Sequence, residues 1–251
     1  MSLTAVTRLE LRRLWVRPLA WGLAALTIAW LAWTFTLSLG TFLAIQVKLA
    51  ASPDAGGFTD YVSIPLLAAL VGMSLLVVPL LTMSTLAGER RAGTLPLLVS
   101  TGIAPWKLVT GKYLAVLAWL MLWLLVTLAM PLVLAASSTP DWGKLAAATL
   151  GTALTLATVA AIGMACSAAT SYPAIAAALT LVITLALWAV DRGAQMAGAS
   201  GGFLQWLSLD THLHNLQRGL VVSSDLIWFA LAIALSLVLA TRRLSADRER
   251  H

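Results

Sequence analysis

The side chains best equipped for chemistry fall in two short stretches. Asp210, His212 and His214 alternate along the chain. On an extended strand that spacing would put three metal-ligating groups on one side, as a zinc-like ion requires. The same residues can serve as structural polar groups, which is the preferred reading; no metal is expected. The second stretch is Glu89-Arg90-Arg91-Ala92-Gly93-Thr94-Leu95-Pro96-Leu97-Leu98, where a charged cluster runs straight into an apolar one.

Signatures of enzyme chemistry are missing. There is no His-Glu-x-x-His helix and no Gly-x-Ser-x-Gly elbow. A phosphate-binding loop needs Gly-x-x-x-x-Gly-Lys-Ser/Thr. Gly111-Lys112 is followed by Tyr113 and has Trp106 where the first glycine should stand, and Gly143-Lys144 is followed by Leu145 and has Ser138 there. No catalytic residue, no nucleotide binding and no cofactor are therefore expected of this chain. Cys166, the one cysteine, allows no intrachain disulfide and reads as a small buried residue.

The elements that must position these groups follow from composition. Of 251 residues 60% are hydrophobic and 10% charged, with a mean hydropathy of +0.92. A soluble domain carries about 25% charged residues, so much of this surface must face lipid. Asp, Glu, Lys and Arg are absent from 18–47, 61–88, 113–140, 145–190 and 226–241. A helix crosses the hydrocarbon core with roughly 20 apolar residues. Four blocks give one span each, and 145–190 gives two, broken at Ser171-Tyr172-Pro173 because proline lacks an N–H and disfavours helix just before it. The expectation is an all-α integral membrane protein forming one domain over 1–251. Its six spans lie near 19–41, 64–86, 108–134, 145–169, 174–190 and 222–241, and no span interior is expected to hold a charge. The runs do not alternate, which argues against a barrel, and the first is too long for a cleaved signal peptide.

Six spans put both termini on one side. That side, with the 87–112 loop and the 170–173 break, holds twelve of the sixteen Lys and Arg residues; the other holds Lys48, Lys144, Arg192 and Arg218. The positive-inside rule then makes the termini cytoplasmic. This asymmetry explains the net charge of +6, and no basic stripe on a soluble fold points to nucleic acid. Trp15, Trp21 and Trp106 suit one interface and Trp142, Trp188, Trp206 and Trp228 the other, while Trp119 and Trp123 fall mid-span and suit helix packing.

Residues 2–17 read as a helix lying on the inner leaflet. Leu3, Thr7, Leu11, Leu14 and Trp15 share one side, Arg12 and Arg13 the other, and Leu9 and Val16 break the pattern. In span four, Thr149, Thr152, Thr155 and Thr158, then Ala161, Ala165 and Ala169, give small residues at helical spacing. Close helix packing is the preferred reading, a hydrophilic path the alternative. Residues 192–224 form an outer segment, greasy from Phe203 to Leu209. In the 87–112 loop, Thr94 suits an N-cap, Leu95, Leu97 and Leu98 make an apolar face, Gly102 can close that helix and Pro105 open the next.

The pattern Glu89-x-x-x-Gly93-Thr94-Leu95-x-Leu97-Leu98 resembles the motif between spans two and three of ABC-2 type permeases. Lys107-Leu108-Val109-Thr110-Gly111-Lys112-Tyr113 resembles the start of their third span. His212 stands six before Arg218-Gly219 and Asp225 seven after that arginine, similar to the gliding-motility-associated branch. Pro96 departs from the acidic residue common there, and Gly102-Ile103-Ala104-Pro105 from the usual turn. The resemblance implies a permease of the bacterial inner membrane, an exporter, paired with a second permease copy or a related subunit. A separate ABC ATPase subunit would bind the ATP. Glu89, Gly93, Thr94, Leu95, Leu97 and Leu98 would form its coupling helix. His212, Arg218, Gly219 and Asp225 would form a polar cluster orienting the last span. The other class to weigh is a noncatalytic anchor or assembly subunit of an envelope or motility complex.

Overall fold

The computed structural model describes residues 3–50, 56–95, 103–136, 138–196 and 202–249. Among these every regular element is helical. α1 (Leu3–Val16) leads into α2 (Pro18–Ala50). A π-helical turn, Thr59–Ser63, continues into α3 (Ile64–Thr82), and a short α4 (Ala87–Arg91) follows. Then come α5 (Pro105–Val133), α6 (Trp142–Ala169) and α7 (Pro173–Met196). Two short helices, α8 (Phe203–Leu207) and α9 (Leu209–Gln217), precede α10 (Ser223–Glu249).

Six helical stretches are long and apolar enough to cross a membrane: Pro18–Val47, Thr59–Arg91, Pro105–Val133, Trp142–Ala169, Pro173–Asp191 and Ser223–Asp247. This is an all-α integral membrane fold. The breaks are those the local chemistry dictates. Pro173 opens α7 after an extended Thr170, and Pro105 opens α5 after an extended Ala104. Asp141 caps α6, its side chain accepting from the Lys144 N–H at 3.0 Å.

The hub is α6, which packs against α3, α9 and α10 and, less extensively, α5 and α7. Thr152, Thr155 and Thr158 are fully buried on it. Thr152 and Thr158 turn their hydroxyls back onto the carbonyls of Ala148 and Leu154, which satisfies them within the helix and leaves no polar track from those two. Gly163 adds a close approach of its own. A Cβ on Gly163 would stand 2.2 Å from Thr82 Oγ1, so α3 and α6 touch nearly backbone to side chain.

One expectation fails here. Lys112 stands two turns inside α5 with 1% of its surface exposed, so a span does carry a buried charge. The helix begins at Pro105, earlier than the expected start near 108, and Lys112 is covered by Glu10 of α1 and Glu89 of α4. Trp119 and Trp123 are buried, as helix packing requires.

Candidate functional site: a charged collar at the terminal end

The end of the bundle that holds both termini is tied by charge. α1 lies along α5, burying Val6 and Leu14. Glu10 sits on that same inward face, where hydrophobic periodicity alone expects an apolar residue. Lys112 Nζ donates to Glu10 Oε1 and to Glu89 Oε1, both at 2.8 Å. Arg13 donates to the same two oxygens at 2.9 and 3.0 Å. Two carboxylates and two cations therefore balance, and three elements, α1, α4 and α5, meet in one network. Glu89 Oε2 is buried with no partner among the described residues.

Aromatic packing holds this corner beside the network. Trp15 and Trp21 lie edge-on at 5.3 Å, and both pack edge-on against Trp119, at 5.5 and 5.2 Å. Trp21 Nε1 donates to the Trp15 carbonyl at 2.7 Å. Edge-to-face pairs add about 0.5–1.5 kcal/mol each beyond the area they bury. So α1 is clamped to the bundle and does not merely rest on the leaflet surface.

Arg90, next to Glu89, reaches the opposite way. It donates to the carbonyls of Ala168 and Thr170 at 2.9 and 3.0 Å, closing the C-terminal end of α6, and it pairs with Asp247 on α10. Ser167 helps seat the turn before α4: its Oγ accepts from the Leu86 and Ala87 N–H groups, both at 3.1 Å. One short helix thus holds α1 and α5 through Glu89 and α6 and α10 through Arg90.

Gly93 ends α4 at φ +70, with its N–H bonded to the Arg90 carbonyl at 3.2 Å and the Thr94 N–H to the Glu89 carbonyl at 3.0 Å. This is a Schellman closure, which wants glycine at that position. The Thr94 hydroxyl also donates back to the Glu89 carbonyl, at 3.2 Å, which helps close α4; the N–H groups it would cap in the next turn lie outside the described residues. Leu95 is buried. Leu97 and Leu98 lie outside the described residues, as does most of the apolar helix expected after Thr94.

At the opposite end, Asp210, His212 and His214 lie on α9 and not on a strand. Two residues apart on a helix is about 200° of turn, so His212 is buried and His214 exposed. The metal-ligand geometry that alternation would have given is lost. His212 Nδ1 instead meets Asp225 Oδ1 at 2.7 Å and its Nε2 meets the Trp206 carbonyl at 2.9 Å. Asn215 donates to Asp225 Oδ2 at 3.2 Å, and the imidazole stacks on Trp228 at 4.8 Å. Asp225 therefore ties α9 to the first turn of α10. Arg218 does not join this cluster: its side chain is exposed and lines a neighbouring cavity with Asp210 and His214. Gly219, at φ +86, closes α9 as Gly93 closes α4.

Sequence reading singled out Glu89, Gly93, His212, Gly219 and Asp225 but gave Glu10, Arg13, Arg90 and Lys112 no role beyond topology. The available signal was Glu10 itself, an acid at helical spacing from Leu3, Thr7 and Leu14.

The described residues thus form a multi-pass helical bundle closed at one end by a buried ion network. The family model for ABC-2 family transporter proteins matches residues 24–209, well over half of the chain. The chain belongs to the ABC-2 transporter family and is a membrane permease component of an ABC transporter, a family that works with an ABC ATPase in general. No significant match was found among curated proteins.

Proposed function

We propose that this chain is the transmembrane subunit of an ABC exporter in a bacterial inner membrane, driven by a separate ATPase subunit. The observation that carries the reading is α4. Glu89 and Arg90, adjacent in sequence, fasten four helices at the point where the chain enters the 92–104 loop. A subunit pressing on that loop would bear most firmly on α5, through the buried Glu89–Lys112 pair, and on α6, through the Arg90 bonds to its last carbonyls, with the more exposed Arg13 and Asp247 contacts linking α1 and α10. Leu95, Leu97 and Leu98 supply the apolar contact, at roughly 1.5–3 kcal/mol for each side chain fully buried.

In this reading the termini are cytoplasmic, a second permease copy or related subunit completes the pathway, and ATP is bound by the partner alone. The chain hydrolyses nothing itself. The resemblance around His212, Arg218, Gly219 and Asp225 supports placement near the gliding-motility-associated branch. An anchor subunit that transports nothing would keep the spans but would not need an apolar loop beside α4.

Affinity capture of the tagged chain from native membranes separates the two. The exporter reading expects an ATP-hydrolysing subunit to co-purify with the wild type and to be lost from the Leu97→Asp/Leu98→Asp variant at equal membrane expression. Equal recovery from both would mean that the loop does not dock the ATPase. Absence of any ATPase would favour the anchor.

A further inference from the structure

A cavity of about 740 Å3 opens between α1, the turn before α4 and the flank of α5. Four cations line it, Arg12, Arg13, Arg17 and Lys112, against two carboxylates, Glu10 and Glu89. The network already described consumes Arg13 and Lys112. Among the described residues two guanidinium groups remain without a carboxylate: Arg17 donates to the neutral Ser84 Oγ at 2.8 Å, and the Arg12 side chain has no hydrogen bond or ion pair.

The rest of the wall is mostly apolar, with the hydroxyl side chains of Ser84, Thr85 and Thr94 among it. Ala115 and Val116 form its inner part, roughly 16 Å along α5 from Pro105 at about 1.5 Å per residue. At the rim stand Leu9 and Val16, exposed at 42% and 76%, beside Pro18, where the first crossing helix begins. The cavity therefore has a cationic mouth with an excess charge of two, an apolar flank open to its surroundings and a position at the boundary of a six-span bundle. A soluble anion would use the arginines and leave the apolar flank wet. A molecule with phosphate at one end and hydrocarbon at the other would satisfy both, and the bilayer supplies it at that depth.

We propose that this cavity binds an anionic phospholipid, with Arg12 and Arg17 on the headgroup phosphate and the acyl chains against Val16 and Pro18. The site rests on the spans and the cavity alone, so it stands or falls separately from the exporter reading. A guanidinium is suited to it, since its planar fork matches phosphate oxygens two at a time. The bound lipid would fill the space between α1 and the α3–α4 turn and so brace the network beside it.

The test uses the full chain, stripped of lipid in a neutral detergent, with native mass spectrometry and thermal unfolding as readouts. Phosphatidylglycerol, phosphatidylcholine and inorganic phosphate are titrated onto the wild type, Arg12→Gln and Arg12→Gln/Arg17→Gln. Phosphatidylglycerol should give a one-to-one adduct and raise Tm. Each charge removed should weaken it about fivefold, so about 25-fold for the pair. Phosphatidylcholine should bind the wild type no better than the double variant. The Arg12 side chain has no hydrogen bond or ion pair among the described residues, so Arg12→Gln keeps the test alive if the double variant fails to fold. Equal retention of phosphatidylglycerol by all three chains would overturn the site. A Tm rise with inorganic phosphate as large as with the lipid would also overturn it, making the ligand a soluble anion. So would a wild type that takes no phosphatidylglycerol while the double variant loses a co-purifying protein, which would assign the arginines to a protein partner.

Discussion

Glu89 on α4 and Lys112 on α5 meet at 2.8 Å, and the lysine side chain is 1% exposed. Glu10 joins the same ammonium at 2.8 Å from α1. A charge so deep is stable only while its partners are present, because removing one partner of a buried pair costs about 3–5 kcal/mol. Arg13, 47% exposed, contacts the same oxygens from solvent, where screening reduces its worth to about 0–1 kcal/mol.

Lys112→Met should therefore lower Tm far more than Arg13→Gln, because it leaves two carboxylates facing each other in a buried corner. Adding Glu10→Gln and Glu89→Gln to Lys112→Met should restore much of the loss, since an apolar or neutral set of similar volume needs no counter-charge. Thermal unfolding in detergent reads the order. If Arg13→Gln were the more damaging change, the network would be held from its exposed side and the account above would be wrong.

What the sequence made legible divides along a physical line. Crossing helices are written locally, in continuous apolar runs and in Pro105 and Pro173, and these were read. The glycine closures at Gly93 and Gly219 fall in stretches the motif reading had already singled out. The collar was not legible, because its partners are far apart: Glu10 and Lys112 are separated by 102 residues, Arg90 and Asp247 by 157. A periodicity search scores Glu10 as a defect in an apolar face, and Lys112 as a topogenic charge at a span end. Alternation of Asp210, His212 and His214 by itself fits a strand, but Ser208 before them caps α9, which begins at Leu209, by accepting from the Thr211 N–H at 3.4 Å.

The α3–α6 contact makes a prediction by contrast. A methyl group on Gly163 would collide with Thr82, while one on Gly72 in α3 would meet nothing within 4 Å. Gly163→Ala should cost about 1–3 kcal/mol through overpacking. Gly72→Ala should be neutral or stabilise by up to about 1 kcal/mol, since alanine is the better helix former. Tm values of the two variants check this. A Gly163→Ala protein as stable as Gly72→Ala would mean that the two helices can separate freely at that level.

At the other end, His212 meets Asp225 through Nδ1 at 2.7 Å and the Trp206 carbonyl through Nε2 at 2.9 Å. The two contacts tie α9 to α10 and to α8, and a typical intramolecular hydrogen bond is worth about 0.5–1.5 kcal/mol. His212→Ala should free α8, whose residues are all at least partly exposed, and speed proteolysis between 202 and 208. Arg218→Ala, lying outside the cluster, should leave the cleavage rate unchanged. Faster cleavage in Arg218→Ala than in His212→Ala would reverse the assignment.

The sidedness of the bundle is the last expectation. Arg90 and Asp247 pair at the end that holds α1, while Lys144 and Asp60 pair at the far end, so one labelling experiment fixes every loop at once. In a Cys166→Ala background, single cysteines are placed at Ala246, near the end of α10, and at Val221, just before its start, both exposed. The Lys and Arg asymmetry predicts that an impermeant thiol reagent labels Val221→Cys in intact cells and Ala246→Cys only after lysis. Twelve cations against four make a strong bias, and the charges nearest span ends carry most of it. Labelling of Ala246→Cys in intact cells, with Val221→Cys protected, would invert the chain. It would also move the collar and the 92–104 loop away from ATP, and with them the proposed docking of an ATPase.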